Sequence, residues 1–144
     1  MEQTATPFVK KILVIDDNAT DRYIAKRMAE KHLFAEEIIS QESALQALEY
    51  LLSLENTPHL LPQFIFLDIN MPGMNGYEFL EEYAKFPEII KENCTIMMIT
   101  SSIHPDDLKQ AENNPSVIRF LNKPLSKEQF KMIEQEFPLK KQCI

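Results

Sequence analysis

Five short apolar runs recur along the chain: 11–15 (KILVI), 36–40 (EEIIS), 64–68 (FIFLD), 95–99 (TIMMI) and 117–121 (VIRFL). They are rich in Ile, Val and Phe and too short to show a helical period. That composition and length fit strands buried on both faces. Helical periodicity lies between them. Ile24, Met28 and Ala29 form a stripe over about 19–32, and Leu45, Leu48, Leu51 and Leu52 form one over 43–54. Phe79, Leu80 and Tyr83 mark a third helix at 77–86. Pro105 suits the first position of a short one at 106–112. Phe130, Ile133 and Phe137 mark the last, which opens on Ser126-Lys127-Glu128-Gln129, a capping-box pattern. The stretches 56–63, with Pro58 and Pro62, and 87–93 are expected as surface loops, and 138–144 as a loose end.

The order βαβαβαβαβα implies an α/β fold, with a parallel sheet, right-handed crossovers and helices on both faces. In such sheets ligands bind beyond the carboxyl ends of the strands. Asp16 and Asp17 follow the first run, Asp68 ends the third, Thr100, Ser101 and Ser102 follow the fourth, and Asn122, Lys123 and Pro124 follow the fifth. The second ends in Ser40-Gln41, with nothing ionisable. Three carboxylates, hydroxyls and one ammonium therefore share one rim.

Three like charges held together repel, and a divalent cation relieves them. Mg²⁺ takes oxygen ligands and commonly binds one or two carboxylates plus a phosphoryl oxygen. No Cys/His set suits zinc. An ammonium and a hydroxyl beside such a metal are what a phosphoryl group needs, and the third carboxylate, on a central strand, can be a nucleophile. Each piece also has a bland explanation. Asp16-Asp17-Asn18 can cap a helix, Asp68 can open a turn before Asn70-Met71-Pro72-Gly73, Thr100-Ser101-Ser102 can cap, and Lys123-Pro124 can turn. Their joint placement on one rim is what separates the two accounts.

Composition removes other classes. The 144 residues suit one domain, and 44% of them are hydrophobic, as in a globular chain. Only Gly73 and Gly76 are glycines, so neither a G-x-G-x-x-G fingerprint nor a Walker A loop can be written. A net charge of −7 disfavours direct nucleic-acid binding. No apolar run is long enough to span a membrane, and the start lacks a signal peptide's basic end and apolar stretch. Cys94 and Cys143 have no C-x-x-C partner and read as reduced thiols of a cytoplasmic protein. His32, His59 and His104 share no spacing, and the seven methionines read as core filler and loop residues.

Over residues 10–137 the chain resembles a response-regulator receiver domain of two-component signalling, of the stand-alone, chemotaxis-regulator-like kind. The stretch 67–78 (LDINMPGMNGYE) is similar to the family's D-x-x-M-P-x-M-x-G loop, and Asp16-Asp17, Thr100 and Lys123-Pro124 follow the family's order. The resemblance implies a flavodoxin-like, doubly wound sheet of order 2-1-3-4-5 with five helices. It implies that Asp68 is the phosphoacceptor, that Thr100 hydrogen-bonds the phosphoryl group and that Lys123 pairs with it. Mg²⁺ would be bound by Asp17 directly, by Asp16 through water, by Asp68, and by the Asn70 backbone carbonyl. Phe120 sits at the aromatic switch position, and Pro124 would follow a cis peptide bond.

The implied partners are a histidine kinase or histidine phosphotransfer protein, and an output protein reading the face of the fourth helix, fifth strand and fifth helix. Residues 1–9 and 138–144 would be an extension and a tail, with no output domain and no enzyme activity beyond the domain's own phosphorylation and dephosphorylation. A phosphorelay intermediate without its own output is an alternative. So is a haloacid-dehalogenase-type phosphohydrolase, but such enzymes carry a second acid where this chain has Asn70, and their nucleophile follows the first strand. A flavodoxin-like redox carrier would need a phosphate loop and a ring-stacking Trp. The chain departs from the family at Ser101-Ser102 and at 112–116 (ENNPS), which lacks the usual Gly-Ala turn.

Overall fold

The computed structural model describes residues 6–101, 105, 106, 109 and 117–137. In chain order the elements are β1 (Val9–Ile15), α1 (Ala19–Lys31), β2 (Ala35–Gln41), α2 (Ala44–Ser53), a 3₁₀ turn (Pro58–Leu60), β3 (Phe64–Asp68), α3 (Gly76–Tyr83), α4 (Glu88–Asn93), β4 (Thr95–Thr100), β5 (Val117–Asn122) and α5 (Lys127–Glu136). The five strands form one sheet of order β2-β1-β3-β4-β5, and every pairing is parallel. This is the expected doubly wound, flavodoxin-like α/β architecture.

Strand periodicity divides the core into two layers. Ile12, Val14, Phe64, Phe66, Met97 and Ile99 face Ala25 and Ala29 of α1 and Phe130 and Ile133 of α5. Leu13, Ile15, Ile65, Leu67, Ile96 and Met98 face α2, α3 and α4. The first layer is aromatic at its centre, where the Phe34 and Phe130 ring centroids lie 4.6 Å apart. β3 and β4 are buried along their whole length. β2, at the edge, has one covered flank, and Glu36 and Glu37 are exposed. It is thus less buried than its apolar run suggests.

Helix starts follow local chemistry. Asn18 accepts from the Asp21 N–H and Ser43 from the Gln46 N–H, while Asn75/Glu78 and Ser126/Gln129 form complete capping boxes. Three expectations need correction. The 87–93 stretch is not a loop but carries α4, which buries Ile90. One buried residue over six leaves no periodicity to read. The 56–63 stretch contains a 3₁₀ turn with Pro58 at its start. On α2 the buried stripe is Ala44, Ala47, Leu48 and Leu51, whereas Leu45 and Leu52 are 57% and 43% exposed. Small alanines let that helix sit close to the sheet, rotating those two leucines outward. The helix expected at 106–112 lies outside the described residues except for Asp106 and Lys109, and so do the tail and Cys143.

Both glycines shape the turn between β3 and α3. Gly73 has φ +75°, a left-handed conformation. Gly76 donates its N–H to the Ile69 carbonyl at 2.8 Å and packs under the end of β3. A Cβ there would sit 2.8 Å from the Asp68 carbonyl oxygen and 3.0 Å from Ile69 Cα. Both are backbone atoms, which cannot swing aside. Gly76→Ala should therefore cost about 1–3 kcal/mol, as overpacking does. Gly73→Ala meets nothing within 4 Å and should cost only the left-handed strain, about 1 kcal/mol. Urea unfolding of the two variants checks the ranking, and an unaffected Gly76→Ala would contradict the close approach.

Candidate functional site

Adjacency of β1, β3, β4 and β5 brings their carboxyl ends together. Asp16 follows β1 and is buried, and Asp17 beside it is exposed. Asp68 is the last residue of β3 and is 4% exposed. One carboxylate oxygen from each of the three lies within 4.8 Å of the others. Thr100 ends β4 and is buried, and its carbonyl accepts the Lys123 N–H at 2.8 Å. That bond ties the loop after β5 to the end of β4.

Lys123 is the cation of this rim. Its Nζ lies 2.7 Å from Asp16 Oδ2, 2.9 Å from Asp21 Oδ2 and 3.5 Å from Asp68 Oδ1. The Lys123–Pro124 peptide bond is cis, as the resemblance implies. The other oxygen of Asp16 accepts the Asn18 N–H at 2.9 Å, and Arg22 donates to the Asp16 carbonyl at 2.8 Å. Asp16 is thus held from three sides, while Asp17 stands toward solvent. The Asn70 N–H donates to the Asp68 carboxylate. Phe120 is half-buried, pairs in register with Met98 and packs on the layer that faces α2 and α3.

Burial pushes the Asp68 carboxyl up to about 6, and the Asp16 charge adds to the shift. Lys123 and the Asn70 N–H oppose it, and Asp17 raises it slightly. Burial alone would lower Lys123. Its hydrogen bonds to Asp16 and Asp21 and the charges of Asp16 and Asp68 outweigh that, and hold it well above the ordinary lysine range. The rim therefore keeps a permanent cation beside a carboxyl whose charge is costly. A divalent cation among Asp16, Asp17 and Asp68 would remove much of that cost, and this all-oxygen donor set suits Mg²⁺.

Of the rim residues expected from sequence, Asp16, Asp17, Asp68, Asn70, Thr100 and Lys123 meet here. Phe120 lies two residues back from the end of β5, beneath them. Ser102 and His104 lie outside the described residues. Sequence reading passed over Asp21 and Arg22. An acid in a first helical turn is already explained by the helix dipole, so only the chain's folding shows that Asp21 reaches Lys123.

The family model described as the response regulator receiver domain matches residues 12–133. The chain belongs to that receiver family. The probable methanogenesis regulatory protein FilR2 of Methanothrix harundinacea is 30% identical over 130 residues, covering 90% of this chain and 81% of that protein. The response regulator Rcp1 of Synechocystis sp. is 28% identical over 129 residues, covering 87% and 84%. A two component response regulator from Cytophaga hutchinsonii superposes with a TM-score of 0.83 at 26% identity, covering 90% of this chain and 96% of that one. Receiver domains typically bind Mg²⁺, work with histidine kinases or phosphotransfer proteins, and are response regulators rather than enzymes in general. Nothing in these relationships favours a phosphohydrolase. Among the described residues no helix is long and apolar enough to cross a membrane.

The Asp68 shift gives a pH signature in metal-free protein. Its folded pKa of about 6 lies above the ordinary 3.8, so the folded state binds the proton more tightly than the unfolded state. Ionising Asp68 then costs stability. The cost is absent below about pH 4, grows as pH rises, and is complete above about pH 6. At pH 7 with EDTA, Asp68→Asn should be more stable than wild type by on the order of 1–3 kcal/mol. Denaturant unfolding from pH 4 to 8 should show that gain vanishing toward pH 4. A gain independent of pH would contradict the assignment.

Proposed function

We propose that this receiver domain, spanning residues 10–137, is a phosphorylation switch with Asp68 as phosphoacceptor. The observation that carries the reading is the setting of Asp68. It is a buried carboxylate at the end of a central strand, 3.5 Å from an ammonium and within a trio of carboxylates. The donor is a phosphohistidine on a histidine kinase or histidine phosphotransfer protein. An Asp68 oxygen attacks phosphorus, a P–O bond forms, and the P–N bond to the imidazole breaks. Lys123 neutralises the phosphoryl oxygens, and the Thr100 hydroxyl donates a hydrogen bond to them.

The all-oxygen donor set suits Mg²⁺, which Asp17, Asp68 and the Asn70 carbonyl would hold directly and Asp16 through water. Bound there, it would shield the phosphoryl charge from the carboxylates. The engaged oxygens of Asp16 and the exposure of Asp17 support that division. The domain slowly hydrolyses its own acyl phosphate, and it works in the cytoplasm.

Output follows from what the phosphoryl group displaces. Thr100 turns toward it, Phe120 moves into the space behind, and the surface of β5 and α5 changes its preference for an output protein. Half-burial of Phe120 beside Met98, below the end of β5, supports the reading, because a half-buried ring can take either of two positions.

Asp68→Asn should abolish Mg²⁺-dependent labelling by acetyl phosphate, since the amide is isosteric but not a competent nucleophile. Undiminished labelling of the variant would remove Asp68 as acceptor. Asp17→Ala should weaken Mg²⁺ binding more than Asp16→Ala, because a direct ligand outweighs a water-mediated one. Titration calorimetry giving the reverse order would overturn that division of roles.

A further inference from the structure

Lys123 meets more carboxylates than the proposed chemistry uses. Its two short contacts, 2.7 and 2.9 Å, go to Asp16 and Asp21, and its long one, 3.5 Å, goes to Asp68. Asp21 arrives from the first turn of α1, 102 residues away in sequence. Its backbone N–H is held by the Asn18 side chain, which fixes its position over the rim. The two short contacts differ in environment. The Asp16 side chain is 1% exposed and that of Asp21 36%. If Lys123 moves toward a new anion on Asp68, Asp21 can rehydrate where it stands, whereas Asp16 cannot.

We infer that Asp21 is a positioning residue, a tether that draws Lys123 back from Asp68 and competes with the phosphoryl group for it. The inference rests on Asp68 being the phosphoacceptor. A lysine carries a compact charge on a flexible stem, so it can redistribute among anions within reach. In resting protein it is shared between Asp16 and Asp21. A phosphoryl group on Asp68 would bring oxygens nearer to it and recruit it, at the cost of the Asp21 contact. The tether lowers the occupancy of the phosphorylated state for a given donor, and so sets how strong a donor the domain needs.

The test uses beryllofluoride with Mg²⁺ as a phosphoryl mimic, its affinity measured by titration calorimetry. Asp21→Asn keeps the shape and removes the charge. It should bind beryllofluoride about three- to ten-fold more tightly, a range suited to losing one partly exposed ion pair. Asp21→Ala should do the same, which guards against an effect of the new amide. In a Lys123→Ala background the gain should vanish, because the tether acts only through that ammonium. Unchanged affinity in both Asp21 variants would overturn the inference. So would an equal gain without Lys123, which would indicate general charge repulsion.

If Lys123→Ala binds no beryllofluoride, the coupling is read in metal-free protein. Urea unfolding of wild type, the two single variants and the double variant should then show non-additive losses, and additive losses would overturn the tether. Asp68→Asn separates this failure from that of the proposed function. Beryllofluoride binding that survives in Asp68→Asn, or is absent from wild type, removes the phosphoacceptor and the tether with it. Loss confined to Asp68→Asn, with no effect of Asp21, removes the tether alone.

Discussion

One ammonium stands among four carboxylates. Asp16, Asp21 and Asp68 contact Lys123 directly, and Asp17 completes the acidic rim. Buried like charges are unfavourable unless something opposite is held between them. Lys123 is held there from two directions. Its backbone N–H is bound to the end of β4, and its side chain is gripped by β1's extension and by α1. Even so, the compensation is incomplete: burial first, and the Asp16 charge after it, keep the Asp68 carboxyl pushed up to about 6. That residual imbalance is the property a bound cation or a phosphoryl group would act on, so it links the architecture to the proposed chemistry.

The remainder of the fold holds this imbalance in place. Two apolar layers clamp the sheet, and the strands that carry the rim residues lie side by side in it. Gly76 lets α3 begin directly under the end of β3, where any side chain would strike the backbone of Asp68 and Ile69. Asp68 is itself the last residue of β3, paired in register with Ile99 of β4, so the sheet holds it at the rim.

A second buried lysine shows how much context decides. Lys11, near the start of β1 and hence at the opposite end of the sheet, is 8% exposed. Its Nζ donates to the Tyr50 hydroxyl at 3.0 Å and to the Leu60 carbonyl at 2.5 Å. Those acceptors are neutral, and they fasten α2 and the 3₁₀ turn to the sheet. Lys123 has carboxylate partners and a charge balance that can be altered. The same side chain is structural at one end of the sheet and, in the proposed function, chemical at the other.

The sequence by itself determined the alternation of elements, the capping boxes and the set of polar residues at the strand ends. These are local or periodic properties, written in residue type and spacing. It also carried the 67–78 motif, from which the family and the implied phosphoacceptor were legible. Tertiary structure decided what depends on neighbours distant in the chain. It rotated α2 so that Ala44 and Ala47 face the sheet and Leu45 and Leu52 face water. It made a helix of 88–93, whose one buried residue left no period to read. It laid Asp21 on Lys123 across 102 positions and set the charge balance at Asp68. An ion pair is fixed by distance and burial, and neither exists until the strands have closed into a sheet.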